Sequence, residues 1–449
     1  RSQKDQEMTL LQPLLRKLPA PSLLLASLLL ATACATAPAR QPVPIGTGEP
    51  REEPVTGVPR DLGDTSGEDI EIGDIDDIGD ARRGRGDRGL TPPFMEGREI
   101  KRAAVLLPFS HPNANVRAEA ESMLAGIELA LFEYADRDFL IIPKDTAGKT
   151  SVAEARIDEA FEDKVDVVLG PLFGANVKTV REKAREEEIP VIAFSNDRSA
   201  AGGGAYLASI SPDEEVRRVM EYVAARGVDT FVFLGPRSAY GRQVEAAMRF
   251  EASRLGAVVA ASAFYGEDSG AGAEARQIAS VLKTELAGRP GRVAVMIPER
   301  GVKLLSVAPL LPYNGVDMRE VKLIGTSYWD DSSIWREPTL RGGYFAATDP
   351  ANKTAFSETY RRIYGRAPTD LAALAYDAAA LTVRLAADDS LTYGGVTDPD
   401  GFFGVNGLFR FRIDGTSERG LAVMQIQPGG AELVEGGVQS FPTGQTGPS

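Results

Sequence analysis

One histidine and one cysteine, His111 and Cys34, occur among the 449 residues. A zinc site draws on clustered His and Cys, so this chain has little to build one from. A serine nucleophile needs a base, and no Gly-x-Ser-x-Gly elbow occurs. Gly148-Lys149-Thr150 has the end of a phosphate loop, but Pro143 stands where that loop needs its first glycine. Gly270-Ala271-Gly272 has part of a dinucleotide fingerprint, in a late loop of small residues. What remains suits recognition without bond-making. Hydroxyls, amides and aromatic rings stand at Ser110, Leu172-Phe173-Gly174, Ser195-Asn196-Asp197, Tyr240 and Ser327-Tyr328. These residues are the candidate ligand-binding set, and neither catalysis, cofactor nor metal is expected. His111 either lines that set or is solvated. Tyr240 and Trp329 each have two readings, a ligand contact or ordinary packing. Tyr376-Asp377, inside a late helix, reads as structural.

The elements that must position this set are clearest at 165–197. Val165 to Leu169 is a short apolar run of strand length. Gly170-Pro171 breaks it. Val177, Val180 and Ala184 then recur at helical spacing among Lys, Arg and Glu. Ile189 to Phe194 is a second apolar run, stopping at Ser195-Asn196-Asp197. Strand–helix–strand units build parallel sheets, and ligands bind beyond the carboxyl ends of their strands. The loops Gly170–Asn176 and Ser195–Arg198 fall at those ends.

The same rhythm fills the chain from Arg102. Ala103–Leu107 reads as a strand ending at Pro108-Phe109-Ser110, and Phe139–Ile142 as another. A second series starts at Ser211-Pro212-Asp213-Glu214, a good helix start. Its strands are Thr230–Leu234, Ala257–Phe264, Val293–Ile297 and Val321–Ile324. Two of them lead into Tyr240 and into Ser327-Tyr328. A late helix, Asp370–Ala387, carries Leu371, Leu374, Leu381 and Leu385. Leu408–Ile413 and Leu421–Gln427 alternate like a hairpin around Asp414-Gly415. The expected fold is α/β: two doubly wound parallel-sheet lobes with multiple inter-lobe crossings. The expected division is 101–208 plus 344–405 for the first lobe and 209–343 plus 406–430 for the second. Residues 435–449 read as a disordered tail.

Ahead of this lies a different composition. Met8 is the expected start, followed by Arg16-Lys17, an apolar Leu18–Leu30 and Leu30-Ala31-Thr32-Ala33-Cys34. Residues 1–34 therefore read as a signal peptide. Its end resembles the bacterial lipobox, which implies lipidation of Cys34. An unpaired thiol in an exported protein needs such an explanation. Ala35 after it, rather than Asp, implies the outer membrane. Residues 35–99 lack apolar periodicity, with acidic 61–80 and basic 82–88 blocks, and read as a disordered acidic, Pro- and Gly-rich linker. Its Gly-Asp-Ile-Asp pattern lacks calcium-loop spacing. As a coil it spans about 45 Å on average and about 200 Å stretched. The net charge of −14 argues against nucleic acid.

Residues 101–430 resemble the type I periplasmic binding proteins. The resemblance rests on the Ala-Val-Leu-Leu-Pro strand and on LGPLFGANV, IPVIAFSND, SAYGRQVEAAM, LAALAYDAAAL and GVNGLFRFRIDGTSERGLAVMQI. The last two are similar to the late helix and hairpin of leucine/isoleucine/valine-binding proteins, whose members place an aromatic residue against the ligand near Tyr240. GPLFGANV with AFSND on a lipoprotein most resembles the penicillin-binding protein activators, outer-membrane lipoproteins that stimulate a peptidoglycan synthase. The chain departs from amino-acid binders at two places. Gly174-Ala175 stands where they carry a hydroxyl residue, and Asp197 where they often carry Thr. A carboxylate there would oppose a ligand carboxylate by about 4 kcal/mol at about 4 Å, for an effective dielectric near 20. The resemblance thus implies a non-catalytic, lipid-anchored protein on the periplasmic face of the outer membrane, partnered by a peptidoglycan synthase (a penicillin-binding protein). The alternative is a solute receptor for an amino acid or similar small molecule, serving a membrane permease.

Overall fold

A computed structural model describes residues 43–44, 92, 95, 97–135, 138–266, 270–285 and 288–441. Residues 1–34, expected to be a signal peptide ending at Cys34, most of the expected linker 35–99 and residues 442–449 lie outside the described residues. A two-residue strand, β1 (Val43–Pro44), pairs in parallel with the later segment Phe402–Gly404.

The first lobe is built on β2 (Lys101–Leu107), β3 (Phe139–Asp145), β4 (Val167–Leu169), β5 (Val191–Ala193) and β6 (Ala205–Leu207). Their order is β3-β2-β4-β5-β6, all parallel. The pleat sends alternate side chains to opposite faces. Ala103, Val105 and Leu107 join one apolar cluster while Ala104 and Leu106 join another, and all five are fully buried. Helix α1 (Ala114–Tyr134) covers the first face. Helices α2 (Thr150–Glu162) and α3 (Gly174–Glu186) cover the second.

The second lobe repeats the plan. After α4 (Pro212–Ala224) come β7 (Thr230–Pro236), α5 (Ala239–Leu255), β8 (Val258–Tyr265) and α6 (Gly272–Glu285). Then follow β9 (Val293–Met296), α7 (Gly301–Val307), α8 (Leu310–Tyr313), β10 (Val321–Gly325) and β11 (Tyr344–Ala347). The parallel order is β8-β7-β9-β10-β11, the same winding as the first sheet.

The chain then returns. Helices α9 (Pro350–Tyr364) and α10 (Asp370–Ala387) pack on the first lobe, with Phe356, Tyr360 and Leu381 in its cluster. A small sheet of β12 (Phe402–Gly404), β13 (Gly407–Phe411) and β14 (Ser417–Arg419) packs there through Phe402, Phe409 and Phe411. Finally β15 (Ala422–Gln427) and β16 (Gly430–Glu435) extend the second sheet antiparallel beyond β11.

Four details differ from the sequence reading. Residues 407–419, expected in the second lobe, form β13 and β14 and pack on the first through Phe409 and Phe411. Tyr344–Ala347, expected in the first lobe, pairs with β10, so the chain crosses back after it. Leu421–Gln427 was expected to hairpin with Leu408–Ile413. Instead β13 pairs with β14 around Asp414-Gly415, and β15 pairs with β11. A short loop brings β14 beside β13 first, and the free edge of β11 takes the next strand. Gly430–Glu435, at the border of the expected tail, is a strand on β15.

Candidate functional site

Both sheets wind outward from a central strand, and loops beyond such a switch point hold ligands. In the first lobe this point lies between β2 and β4. Gly170 makes the turn after β4: its φ is +108°, and a Cβ would meet Leu106 O at 2.3 Å. That tight turn brings Phe173 to the loop after β2, with its ring 5.6 Å from His111. His111 Nδ1 accepts from Asn113 N at 3.1 Å, so it is held rather than loose. A Cβ on Gly148 would overlap both rings, at 2.5 Å from His111 and 3.1 Å from Phe173. The would-be phosphate loop therefore serves as a small-residue seat for these rings. Ser110 N donates to Asp145 Oδ1 at 3.1 Å. Burial opposes ionisation of Asp145, but bonds from Ser110 and Ala147 outweigh it and hold the carboxyl low. Leu172 packs on the first-lobe core.

Gly174 opens α3, whose N-cap Phe173 supplies no side-chain bond. The first-turn N–H groups are left for another acceptor, and they favour negative charge. Asp197 is pressed against this end: a Cβ on Gly174 would lie 2.6 Å from Oδ2. Its Oδ1 accepts from Ser199 N at 3.0 Å and Ser199 Oγ at 2.6 Å, and Lys178 Nζ lies 3.5 Å from Oδ2. Ser199 first, against some burial, then Lys178, keep Asp197 below the usual carboxylate range. Buried Ser195 accepts from Asp197 N at 3.1 Å and so shapes the turn. A carboxylate of the chain itself thus stands at the start of α3.

Asn196 points elsewhere. With Arg198, Ser209, Asp213, Glu214 and Arg412 it lines a slot of about 30 Å³ at the lobe junction, room for a water. Arg198 reaches across to Asp213 at 3.9 Å.

The second-lobe candidates converge. Tyr240 and Tyr328 stack with centroids 4.6 Å apart and planes at 29°. Tyr240 OH donates to Thr326 Oγ1 at 2.8 Å. Arg300 stands over Tyr328 at 5.0 Å. Ser327 N donates to Glu215 Oε1 at 3.3 Å. Glu215 is only 3% exposed, and burial pushes its carboxyl up to about 7 against the Ser327 bonds. Burial and the Glu215 charge also raise Tyr240. Sequence reasoning missed Glu215, Thr326 and Arg300. A signal existed for Glu215, which lies four residues before buried Val219 on the apolar stripe of α4.

Trp329 is a core residue, fully buried, with Nε1 donating to Ile297 O at 3.2 Å. Gly325 and Gly343 make room for its ring. Tyr376 OH bonds Tyr134 OH at 2.9 Å, and Asp377 holds the β12–β13 turn, both structural as read from sequence. Among the described residues no group of three or more His, Cys, Asp and Glu could hold a metal. Among the same residues no helix is long and apolar enough to cross a membrane.

The family model described as "Periplasmic binding protein" matches residues 102–431. The penicillin-binding protein activator LpoA of Vibrio cholerae is 28% identical over 155 residues, which is 33% of this chain and 24% of that protein. The chain therefore aligns with about a quarter of that relative's length. The leucine binding protein LivK of Thermotoga maritima superposes with TM-score 0.51 at 16% identity, covering 74% of this chain and 97% of LivK. A branched-chain amino acid ABC transporter periplasmic ligand-binding protein of Burkholderia xenovorans superposes with TM-score 0.61 at 16% identity, covering 75% and 95%. Two like-wound sheets, the returning helices and the family match agree: this chain belongs to the periplasmic binding protein family, with the two-lobed type I fold.

Proposed function

We propose that this chain is a non-catalytic envelope lipoprotein, anchored through Cys34, that regulates peptidoglycan synthesis by docking a penicillin-binding synthase. The observation that carries the reading is Asp197 against Gly174. An amino-acid ligand would bring its carboxylate to the start of α3, where this chain already holds one. The partial likeness to LpoA supports the same reading. Residues 35–99 then act as the tether from the outer membrane, and recognition falls to the folded lobes. The loops carrying Ser110, Leu172, Phe173, Ser195 and Asn196 serve as docking surface in this reading.

A second reading, a solute receptor for a permease, is favoured by Tyr240, Tyr328, Ser327 and buried Glu215 in the other lobe. That cluster would hold a cationic or hydroxylated group of a small molecule. One pair of measurements separates the two. Full-length protein, solubilised from membranes, is titrated by calorimetry with the twenty common amino acids, and is used as bait for crosslinked envelope proteins. Co-purification of a penicillin-binding synthase with no amino-acid heat supports the first reading. Saturable amino-acid binding without a synthase overturns it.

A further inference from the structure

Among the described residues, the chain passes between the lobes at 208–211, 348–349 and 420–421. Residues 436–441 add a further connection. They fall in the expected tail and leave β16 on the second lobe. Arg218 of α4 fixes their start. Its Nη2 donates to Gly436 O at 3.3 Å, its Nε donates to Leu421 O at 2.7 Å, and its Nη1 lies 2.8 Å from Glu435 Oε1. One buried side chain thus ties the segment to the crossing at 420–421.

The segment then runs back along that crossing. A Cβ on Gly437 would collide with Gly420 O. A Cβ on Gly420 would lie 2.7 Å from Val438 O and 2.8 Å from Val438 Cγ2. The two backbones touch, and no side chain fits between them. The far end is Phe441, which is only 8% exposed. Its ring lies beneath Arg410 of β13, with the guanidinium carbon 4.4 Å from the ring centroid. A Cβ on Gly401 would meet the same ring at 3.0 Å. Arg410 is itself held by Glu418 Oε2 at 2.8 Å and by Pro399 O at 2.8 Å. Phe409 and Phe411 of the same strand belong to the first-lobe core, so Phe441 rests on the first lobe.

We propose that residues 436–441 are a strap across the hinge that holds the lobes at one mutual setting, with Phe441 as its releasable end. Two chains side by side bend less readily than one, and close packing leaves the crossing no space to swing. The ends are unequal. The second-lobe end is held by the β15–β16 ladder and by Arg218. The first-lobe end is held by one ring. The strap does not depend on which partner or solute the lobes take, and its test uses neither.

The test measures the distance between the lobes by pulsed electron spin resonance on the full-length protein. Spin-labelled unnatural residues replace Lys149, just before α2, and Val302, on α7, both exposed, and Cys34 is left intact. Parent protein is compared with Phe441→Ala, with Phe441→Leu and with a chain ending at Glu435. In Phe441→Ala and in the shortened chain we expect the distance distribution to broaden at least about twofold, or its mean to move by about 5 Å or more, as for a freed hinge. Phe441→Leu keeps an apolar anchor and should stay close to the parent. Identical distributions in all four proteins overturn the proposal. So does broadening in the shortened chain alone, which would put the restraint at Arg218 and Gly437 rather than at Phe441.

Discussion

The Cβ that Gly174 lacks would stand 2.6 Å from Oδ2 of Asp197. The first residue of α3 and the turn after β5 are thus fitted to each other, and any side chain at 174 must displace the carboxylate. Gly174→Ser should cost about 1–3 kcal/mol in the parent protein. In an Asp197→Gly background the cost should shrink by about 1 kcal/mol or more, since contacting residues couple. Urea unfolding of the four members of the cycle measures this. Additive costs would show that the two positions do not touch.

Glu215 sets a pH dependence. Its carboxyl sits at about 7 in the folded chain against an ordinary value of 4.5. The native state binds this proton more tightly, so the contribution is full below about pH 4.5 and is lost as pH rises to about 7. A shift of that size is worth about 3 kcal/mol. Glu215→Gln should remove this dependence. The stability of the variant relative to the parent should therefore rise by about 2–4 kcal/mol from about pH 5 to about pH 8. Denaturant titrations across that range check it, and a flat difference would refute the buried neutral carboxyl.

Gly126 lets α1 and α10 approach closely, since a Cβ there would meet Ala372 O at 2.4 Å. Helix propensity alone predicts that Gly126→Ala stabilises by about 1 kcal/mol. Overpacking predicts a loss of about 1–3 kcal/mol. We expect the loss, because a backbone carbonyl in the facing helix cannot rotate away. The sign of the shift in the urea midpoint decides between them.

Asp377, 1% exposed in α10, accepts from Val405 N at 2.7 Å and from Asn406 N and Nδ2 at 3.1 and 2.8 Å. Asp377→Ala leaves those donors without an acceptor and should cost about 3 kcal/mol. That corresponds to a Tm lower by about 5–10 °C. Asp377→Asn keeps the acceptor oxygen and should lose less. Equal losses for the two variants would mean that the space Asp377 fills matters more than its bonds.

Much of the fold was legible before any coordinates. The run 165–197 became β4, α3 and β5, and the second series of strands and helices was found in order. Tyr240 and Tyr328 both stand after strand ends, and their rings stack. Glu215 escaped because Asp213-Glu214-Glu215 in a first turn reads as a complement to the helix dipole. Asp197 was judged by the family position it occupies, while Ser199 and Lys178, which hold it, follow from the packed turn.

What the chain alone determined was periodic and local: an apolar run of strand length in Ala103–Leu107, helical spacing in 177–184, the caps and turns between. Those depend on a few neighbouring residues, so they survive without a partner. Partner choice does not. Leu421–Gln427 alternates as a strand in any register, but its mate is β11 because the chain had crossed lobes and β11 held the open edge. The same holds for Gly174 and Asp197, two residues 23 apart in the sequence, counted from their numbers, whose contact exists only once β4 and β5 lie side by side. Tertiary packing decided both, since only the assembled sheets bring distant positions within van der Waals range.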